Sequence, residues 1–383
     1  VPAVSDSSIA LVTLLGVALV VVPWVLYPAV VLLLARLAGR PPRTAPPADG
    51  AWPRVTCVLA TRDDPETVRA RVADFLAQDY PADRLDVVVA LDAAVAADLA
   101  PRLGFDDPRV TVVAGDAPGG KCPALNAAVR ATRGELLLFS DARQRFDPAV
   151  ARKLAAALVA DPRLGITSGR LLLPADDASS IFRLYSRYEL GLRAAEARLH
   201  SAVGVSGSVY AMWRALWAPL PAGLILDDVF VPMRLALAGR RVGFVADAYA
   251  RETRLVSAGQ EFRRKVRTLT GNYQLCAWLP GILLPWRNPI WLQFVCHKLL
   301  RLVLPYGVLL VGVGLALLAW RLAGPHAPWL AAAVALGAAW LWAGRDALAR
   351  RLRGVAVQFA SMQAAAAVAM VHGVRGRWDV WRP

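Results

Sequence analysis

Cysteine is scarce and scattered. Cys57, Cys122, Cys276 and Cys296 form no CxxC pair, so neither a thiolate metal site nor a disulfide framework organises this chain. The GxxxxGK[ST] spacing of a P-loop is also absent. No internal repeat occurs, and without repeated halves the sequence is a poor match for a transporter. Acidic residues are few: 29 against 44 basic ones in 383 residues, a formal net charge of +15. That excess suits contact with anionic phospholipid or with a phosphate-bearing substrate. Nucleic acid would suit the charge as well, but the membrane segments described next argue against it.

Apolar residues, by contrast, make up 57% of the chain, and the mean hydropathy is +0.43. They concentrate at residues 9–35 and beyond 303, which leaves a middle of ordinary globular composition. This is the pattern of membrane segments flanking a soluble domain. The first apolar run contains Pro23 and Pro28 and exceeds the roughly 20 residues a bilayer needs. It lacks the basic start and small-residue cleavage site of a signal peptide. Arg36, Arg40 and Arg43 follow it, whereas Asp6 is the only charge before it. The positive-inside rule then puts the N-terminus outside and the following domain in the cytoplasm.

The expected organisation is a transmembrane helix in 1–40, a Pro-rich linker in 41–53 and an α/β domain in 54–257. Amphipathic interfacial helices in 258–300, transmembrane helices in 301–374 and a tail in 375–383 complete it. Spans are expected at 303–320 and 329–343, joined to the remainder by an arginine-rich cytoplasmic loop, 345–353. The stretch 355–371, with Gln358 and Gln363, either spans or lies along the surface; Arg375 and Arg377 favour the second.

In the middle, strand signals at 54–60, 85–91, 109–113, 135–139, 166–173 and 241–247 alternate with helical stretches at 64–78, 124–131 and 179–199. Residues 204–212 read as small residues followed by a strand. Alternation predicts an open, largely parallel α/β sheet. Right-handed crossovers bring the carboxyl ends of such strands to one edge, where ligands gather. The pivotal stretch is 134–148, in which Leu136–Phe139 is a buried-strand signal that stops at Ser140-Asp141. Asp141 is then either a cleft ligand or a cap for the helix starting near Pro148. Gly119, Gly120 and Lys121 offer bare backbone and a point charge for a phosphate. Asp227 and Asp228 precede a helix, as an N-cap or with one as a general base. Residues 260–274 are basic and amphipathic, suited to the membrane surface or to a diphosphate.

The ordered motifs are Arg62-Asp63-Asp64, Leu91-Asp92, GGKCPALN at 119–126, SDAR at 140–143, GVSG at 204–207, LDD at 226–228 and RKVRT at 264–268. This series, over about residues 1–300, resembles the membrane-integrated glycosyltransferases of family 2, among them bacterial cellulose and hyaluronan synthases. The resemblance implies a GT-A fold, a nucleotide-sugar donor such as a UDP-sugar, a divalent cation (Mg2+ or Mn2+) and inversion at the anomeric carbon. It implies that Thr61, Arg62 and Asp64 meet the nucleotide, that Asp92 holds the uridine and that Lys121 lies near the phosphates. Asp141 matches the first acid of the DxD motif, which meets metal and diphosphate. Ser206, Gly207 and Asp227 fall on the acceptor side, and Asp228 matches the base. Arg264, Arg267 and Thr268 fall where QxxRW sits, the arginines toward the nucleotide sugar and Thr268 toward the acceptor.

Two departures stand out. DxD reads Asp141-Ala142-Arg143, which loses the second carboxylate; Arg143 either replaces part of the cation's work or points to solvent. QxxRW keeps one arginine and loses Gln and Trp, which puts processive synthesis in question. The implied protein sits in a bacterial inner membrane with its catalytic domain cytoplasmic. Its partners would be a donor, a glycan or lipid acceptor, phospholipid and an export or assembly subunit, with no nucleic acid. The expected process is exopolysaccharide or cell-envelope glycan synthesis; the rival expectations are transfer of one sugar to a polyprenyl-type lipid, and a non-catalytic membrane-anchored nucleotide-sugar-binding scaffold.

Overall fold

The first helix opens on a serine cap. The Ser5 hydroxyl accepts from Ser8 N at the start of α1 (Asp6–Val21). Pro23 lacks the N–H that an α-helix would use there, and the chain passes through a π-helical turn at Val22–Leu26 into α2 (Tyr27–Leu37). The computed structural model describes residues 5–47, 50–173, 180–253 and 258–379. Ser179, the domain boundary at 257, linker residues 48–49 and tail residues 380–383 of the expectations above lie outside the described residues.

Two units make up the chain. One comprises Val30–Val256 and Gln274–Phe294, and the other Val1–Ala29, Ser257–Tyr273 and Val295–Pro383. The segment expected as one interfacial piece, 258–300, is therefore divided between them.

The first unit is built on an eight-stranded sheet. Its strands are β1 (Val55–Thr61), β2 (Leu85–Leu91), β3 (Val110–Ala114), β4 (Leu136–Ser140), β5 (Gln144–Phe146), β6 (Leu164–Leu172), β7 (Tyr210–Trp213) and β8 (Arg241–Glu252). They order as β3-β2-β1-β4-β7-β6-β8-β5. β1, β2, β3 and β4 are parallel, β7 runs against β4 and β6, and β6 is parallel to β8. The sheet is largely parallel, as expected, with β7 and β5 reversed. Strand β5 follows the Asp141 turn and pairs with β8, Gln144 opposite Glu252. Its three residues are too short to leave a periodic signal.

Helices α3 (Pro65–Leu76), α4 (Ala96–Leu99), α5 (Lys121–Ala131), α6 (Val150–Ala160), α7 (Ser180–Leu199) and α8 (Asp227–Leu237) pack around the sheet. β1, β2 and β4 are apolar on both faces because both are covered, as buried parallel strands require. Val55, Cys57 and Leu59 meet Val68, Val72 and Phe75 of α3 in the main core. Arg71 is wholly buried there, its guanidinium 3.9 Å from both the Phe75 and Phe146 rings. Burial pushes it down to about 10 against the pull of Asp74. Asp74 pairs with it and accepts from Phe146 N at 3.0 Å. This pins β5 onto α3 just past Asp141.

The other unit contains α1, most of α9 (Ala258–Trp278) and, after the short α10 (Trp291–Phe294) and α11 (Leu300–Leu302), the helices α12 (Leu304–Ala323), α13 (Ala327–Ala343) and α14 (Ala347–Val374). Among the described residues three helical stretches are long and apolar enough to cross a membrane: Asp6–Leu37, Leu304–Ala343 and Ala347–Val374. The middle one is α12 and α13, separated by a single 3₁₀ turn. The expected arginine-rich loop 345–353 is mostly helix. Asp346 caps α14 by accepting from Ala349 N, so Arg350, Arg351 and Arg353 lie in its first turns.

Within this unit α1 packs on α12 through glycines, as lipid-embedded helices do when backbones must approach closely. A Cβ on Gly16 would lie 2.7 Å from Val311 N, and one on Gly307 3.0 Å from Leu19 Cβ. Asp6 pairs with Arg321 at one end, and Arg301 stacks 4.4 Å from the Trp24 ring at the other. Trp24 lies eighteen residues beyond Asp6, about 27 Å along a helix, close to the hydrocarbon thickness of a bilayer. Gly16→Leu should cost about 1–3 kcal/mol by overpacking. A melting curve of the detergent-solubilised protein checks this; an unchanged midpoint would show that α1 and α12 do not pack as described.

Candidate active site

The carboxyl ends of β1, β2 and β4 share one edge of the sheet, since the three strands are parallel and in register. What happens at each end follows from the residues there. After β1, the Thr61 hydroxyl receives the Asp63 amide at 3.0 Å and donates to Asp63 Oδ2 at 3.1 Å. Asp63 Oδ1 accepts from Arg143 Nη2 at 2.6 Å. Asp64, expected at the nucleotide, instead spends its carboxylate on the helix cap. It accepts from Thr67 N at 2.9 Å and from the Thr67 hydroxyl at 2.7 Å, and these bonds hold its pKa below the usual value. Asp63 is the acid of this pair that faces the Asp141 loop. Arg62 is exposed.

After β2, Asp92 binds backbone. Its Oδ1 accepts from Ala94 N at 3.1 Å and its Oδ2 from Gly120 N at 3.1 Å. The carboxylate thereby fixes the glycine loop that opens α5. Gly120 has φ 96 and ψ 172, a conformation essentially reserved for glycine. Gly119 has φ 94, and a Cβ there would lie 2.8 Å from Asp92 Oδ1. This geometry launches Lys121 from the first position of α5.

Lys121 Nζ lies 3.3 Å from Asp141 Oδ1 and 3.2 Å from Asp227 Oδ2. The two acids differ in access: the Asp141 side chain is 43% exposed and that of Asp227 is 8%. Burial alone would lower the lysine, but Asp141 and Asp227, with smaller help from Tyr210 and Asp228, raise it well above its ordinary value. The side chain is itself 41% open to solvent, and solvent screening keeps the resulting stabilisation small. A raised lysine contributes fully below its unfolded pKa and loses that contribution only as pH climbs through the raised value. The ammonium is therefore charged throughout the neutral range.

Asp141 does not cap a helix. α6 has no side-chain cap, and Asp147 is the residue that accepts from Ala149 N. Asp141 Oδ2 accepts from the Ser208 hydroxyl at 3.3 Å, and the Ser140 hydroxyl donates to Ser208 O at 2.8 Å. Under them Phe139, Tyr210 and Trp217 stack, with centroids 4.6 and 5.4 Å apart. Burial and then the Asp227 charge push the Tyr210 phenol well up, so it stays protonated.

The small-residue loop lies against the start of α8. Val205 N donates to Asp228 O at 2.9 Å, and Ser206 N donates to the Ser168 hydroxyl at 2.8 Å. A Cβ on Gly207 would stand 3.5 Å from Asp228 Oδ2, so this glycine borders that carboxylate. Leu226, not either acid, is the N-cap of α8, and no side-chain cap bond forms. Asp227 and Asp228 are consecutive on a helix and point in different directions. One is buried on Lys121 and the other is half-exposed.

The sheet unit thus gathers Lys121, Asp141, Asp227, Asp228, Ser206 and Gly207, with Thr61 and Asp92 holding the flanking loops. Arg264, Arg267 and Thr268 belong to α9 in the other unit, where Arg264 lies 4.0 Å from Glu261. Sequence reasoning missed Asp63, Ser208 and the buried role of Asp227. Ser208 follows the GVSG motif directly, and that adjacency was the available signal. Among the described residues no group of three or more His, Cys, Asp or Glu side chains is placed to hold a metal. Asp141 alone fits one: a hard cation can take a single carboxylate and complete its shell with substrate phosphate oxygens and water.

A family profile described as glycosyltransferase like family 2 matches residues 53–271. No curated protein matches the chain by sequence. Among solved structures, the mannosyltransferase PcManGT from Pyrobaculum calidifontis, in complex with GDP-Man and Mn2+, superposes with a TM-score of 0.68 at 23% identity. The match covers 96% of this chain and 99% of that one. At that identity the likeness is one of fold, and the mixed, mostly parallel sheet is GT-A-like. GalNAc-T7 with UDP, GalNAc and Mn2+ gives a TM-score of 0.44 at 12% identity, over 59% of this chain and 48% of that one. That similarity is too slight to carry an argument.

Replacing Gly120 by Ala should cost about 1–3 kcal/mol in backbone strain and weaken binding of a nucleoside diphosphate. Calorimetry and a thermal melt read both effects. Wild-type values in the variant would mean that the loop does not need its glycine conformation.

Proposed function

Since the chain belongs to glycosyltransferase family 2 and so uses a nucleotide-sugar donor, we propose that it is an inverting transferase acting on an acceptor hydroxyl at the cytoplasmic face of a membrane. The observation that carries this reading is the separation of roles around Lys121. One carboxylate, Asp227, is buried against the ammonium; Asp228, its neighbour in sequence, is partly exposed and borders Gly207.

The acceptor oxygen attacks the anomeric carbon, and its proton passes to the Asp228 carboxylate. The bond from that carbon to the diphosphate oxygen breaks on the opposite side, which inverts the centre. The bonding electrons leave with the nucleoside diphosphate. Lys121 faces the charge that develops there. Asp141 is the residue that would hold Mg2+ or Mn2+, which when bound neutralises the departing phosphates. Ser206 and Gly207 shape the acceptor side, and Thr61, Arg62 and Asp92 the nucleotide side, with Asp92 acting through the loop it fixes. Arg264, Arg267 and Thr268 are assigned to donor phosphates and acceptor by motif position alone. The apolar stretches and the arginines that follow the first of them support the inner-leaflet placement.

A lipid-borne phosphate is a second acceptor reading, favoured by one observation. Arg170 and Arg251 flank the Tyr249 ring at 5.9 and 5.1 Å. Among the described residues Arg170 Nε is buried without a hydrogen-bond partner. Both lie toward the carboxyl ends of β6 and β8, which run in the direction of β4.

Membranes holding the protein should transfer label from one member of a panel of UDP- and GDP-sugars. A single sugar on an organic-extractable lipid would favour the second acceptor, and a long product a glycan. Asp228→Asn should reduce turnover by about 10²–10⁴-fold while nucleotide affinity stays within a few fold. No transfer from any donor would overturn the function, and full turnover in the variant would remove Asp228 as the base.

A further inference from the structure

Arg143 stands where the resemblance puts the second acid of a DxD pair, and it is held firmly in place. Its carbonyl accepts from the Thr253 hydroxyl at 2.8 Å, at the end of β8. Its Nη2 donates to Asp63 Oδ1 at 2.6 Å, and Asp63 is itself tied to Thr61. β1 and β4 are hydrogen-bonded neighbours with Leu59 opposite Ser140, so Asp63 and Arg143 leave adjacent strands at the same level. The guanidinium has five donors, and this ion pair engages one nitrogen; the side chain is 45% exposed. Lys121 supplies a second fixed cation, 3.3 Å from Asp141 Oδ1. Asp141 is therefore the one carboxylate of its motif, with a lysine beside it and an arginine two residues on.

Building on the donor assignment above, we propose that Arg143 is a donor-binding residue that contacts the diphosphate directly. It takes over part of the charge neutralisation that a second metal-binding carboxylate would otherwise serve. A guanidinium suits this role because it stays charged at every accessible pH and matches phosphate oxygens in a two-pronged geometry. Asp63 acts as its positioning residue, presenting the remaining N–H groups to the cleft. Two fixed cations leave less for a divalent ion to do. Nucleotide binding in this protein then survives chelation, whereas a site with acids at both positions would repel an uncomplexed diphosphate.

The test is calorimetric titration of the detergent-solubilised full chain with GDP and UDP, in Mn2+ and in EDTA. In the wild type, chelation should weaken the preferred nucleotide by less than about tenfold. Arg143→Gln should weaken metal-free binding by about tenfold or more, the worth of a charged hydrogen bond, and Arg143→Lys should recover part of that loss. Arg143→Asp should bind only when Mn2+ is present. A wild type that loses nucleotide wholly in EDTA, or an Arg143→Gln variant that binds as the wild type does in EDTA, overturns the proposal. A wild type that binds neither nucleotide even with Mn2+ overturns the donor assignment instead. Should Arg143→Asp fail to fold by circular dichroism, the Gln and Lys variants decide the matter.

Discussion

One ammonium group ties together three segments of the chain. Lys121 opens α5, Asp141 directly follows β4 and Asp227 opens α8, and both carboxylates lie within 3.3 Å of the lysine nitrogen. The buried Asp227 would be costly without that cation. The lysine in turn is kept charged against partial burial by the carboxylates. Each condition supports the other, so the site is assembled before any donor arrives. That is what preorganised electrostatic stabilisation requires. The glycine conformation at 119 and 120, and the Asp92 bonds that hold it, exist to put this lysine there.

The layout of the sheet follows from this constraint. A parallel core of β1, β2, β3 and β4 brings loop ends to one edge, and the reversed β7 carries Tyr210 and the Ser208 loop to the same place from the other direction. Asp141 is then held from two sides, by Lys121 and by Ser208. Arg71, between two phenylalanine rings, fixes the chain that leaves the Asp141 turn. A charge deep in the core is a poor contributor to stability, and here it orders a functional loop.

The strands and most helices were legible because burial on both faces leaves continuous apolar runs. Asp141, Lys121 and Asp228 stood out as candidates because polar residues interrupt or border such runs where a ligand edge is expected. Three features were hidden. β5 has only three residues, and its pairing is long-range. Which of Asp63 and Asp64 faces the Asp141 loop depends on the two capping bonds from Thr67 to Asp64, which the sequence allows to either reading. The first turns of α14 looked like a loop because arginines crowd there, yet arginine is a good helix former and Asp346 supplies the cap. The division of labour between Asp227 and Asp228 needed the helix start to be known within one residue, which is the least certain property of any sequence reading.

The most direct measurement of the central claim is a double-mutant cycle on unfolding stability. Lys121→Met alone leaves Asp227 buried beside an apolar chain and should destabilise the protein by about 1–3 kcal/mol, discounted for the exposed lysine. Adding Asp227→Asn should restore most of that loss, because the stranded charge is gone. If the two substitutions instead add, each costing the same with or without the other, the lysine does not neutralise Asp227 and the site is not built around it.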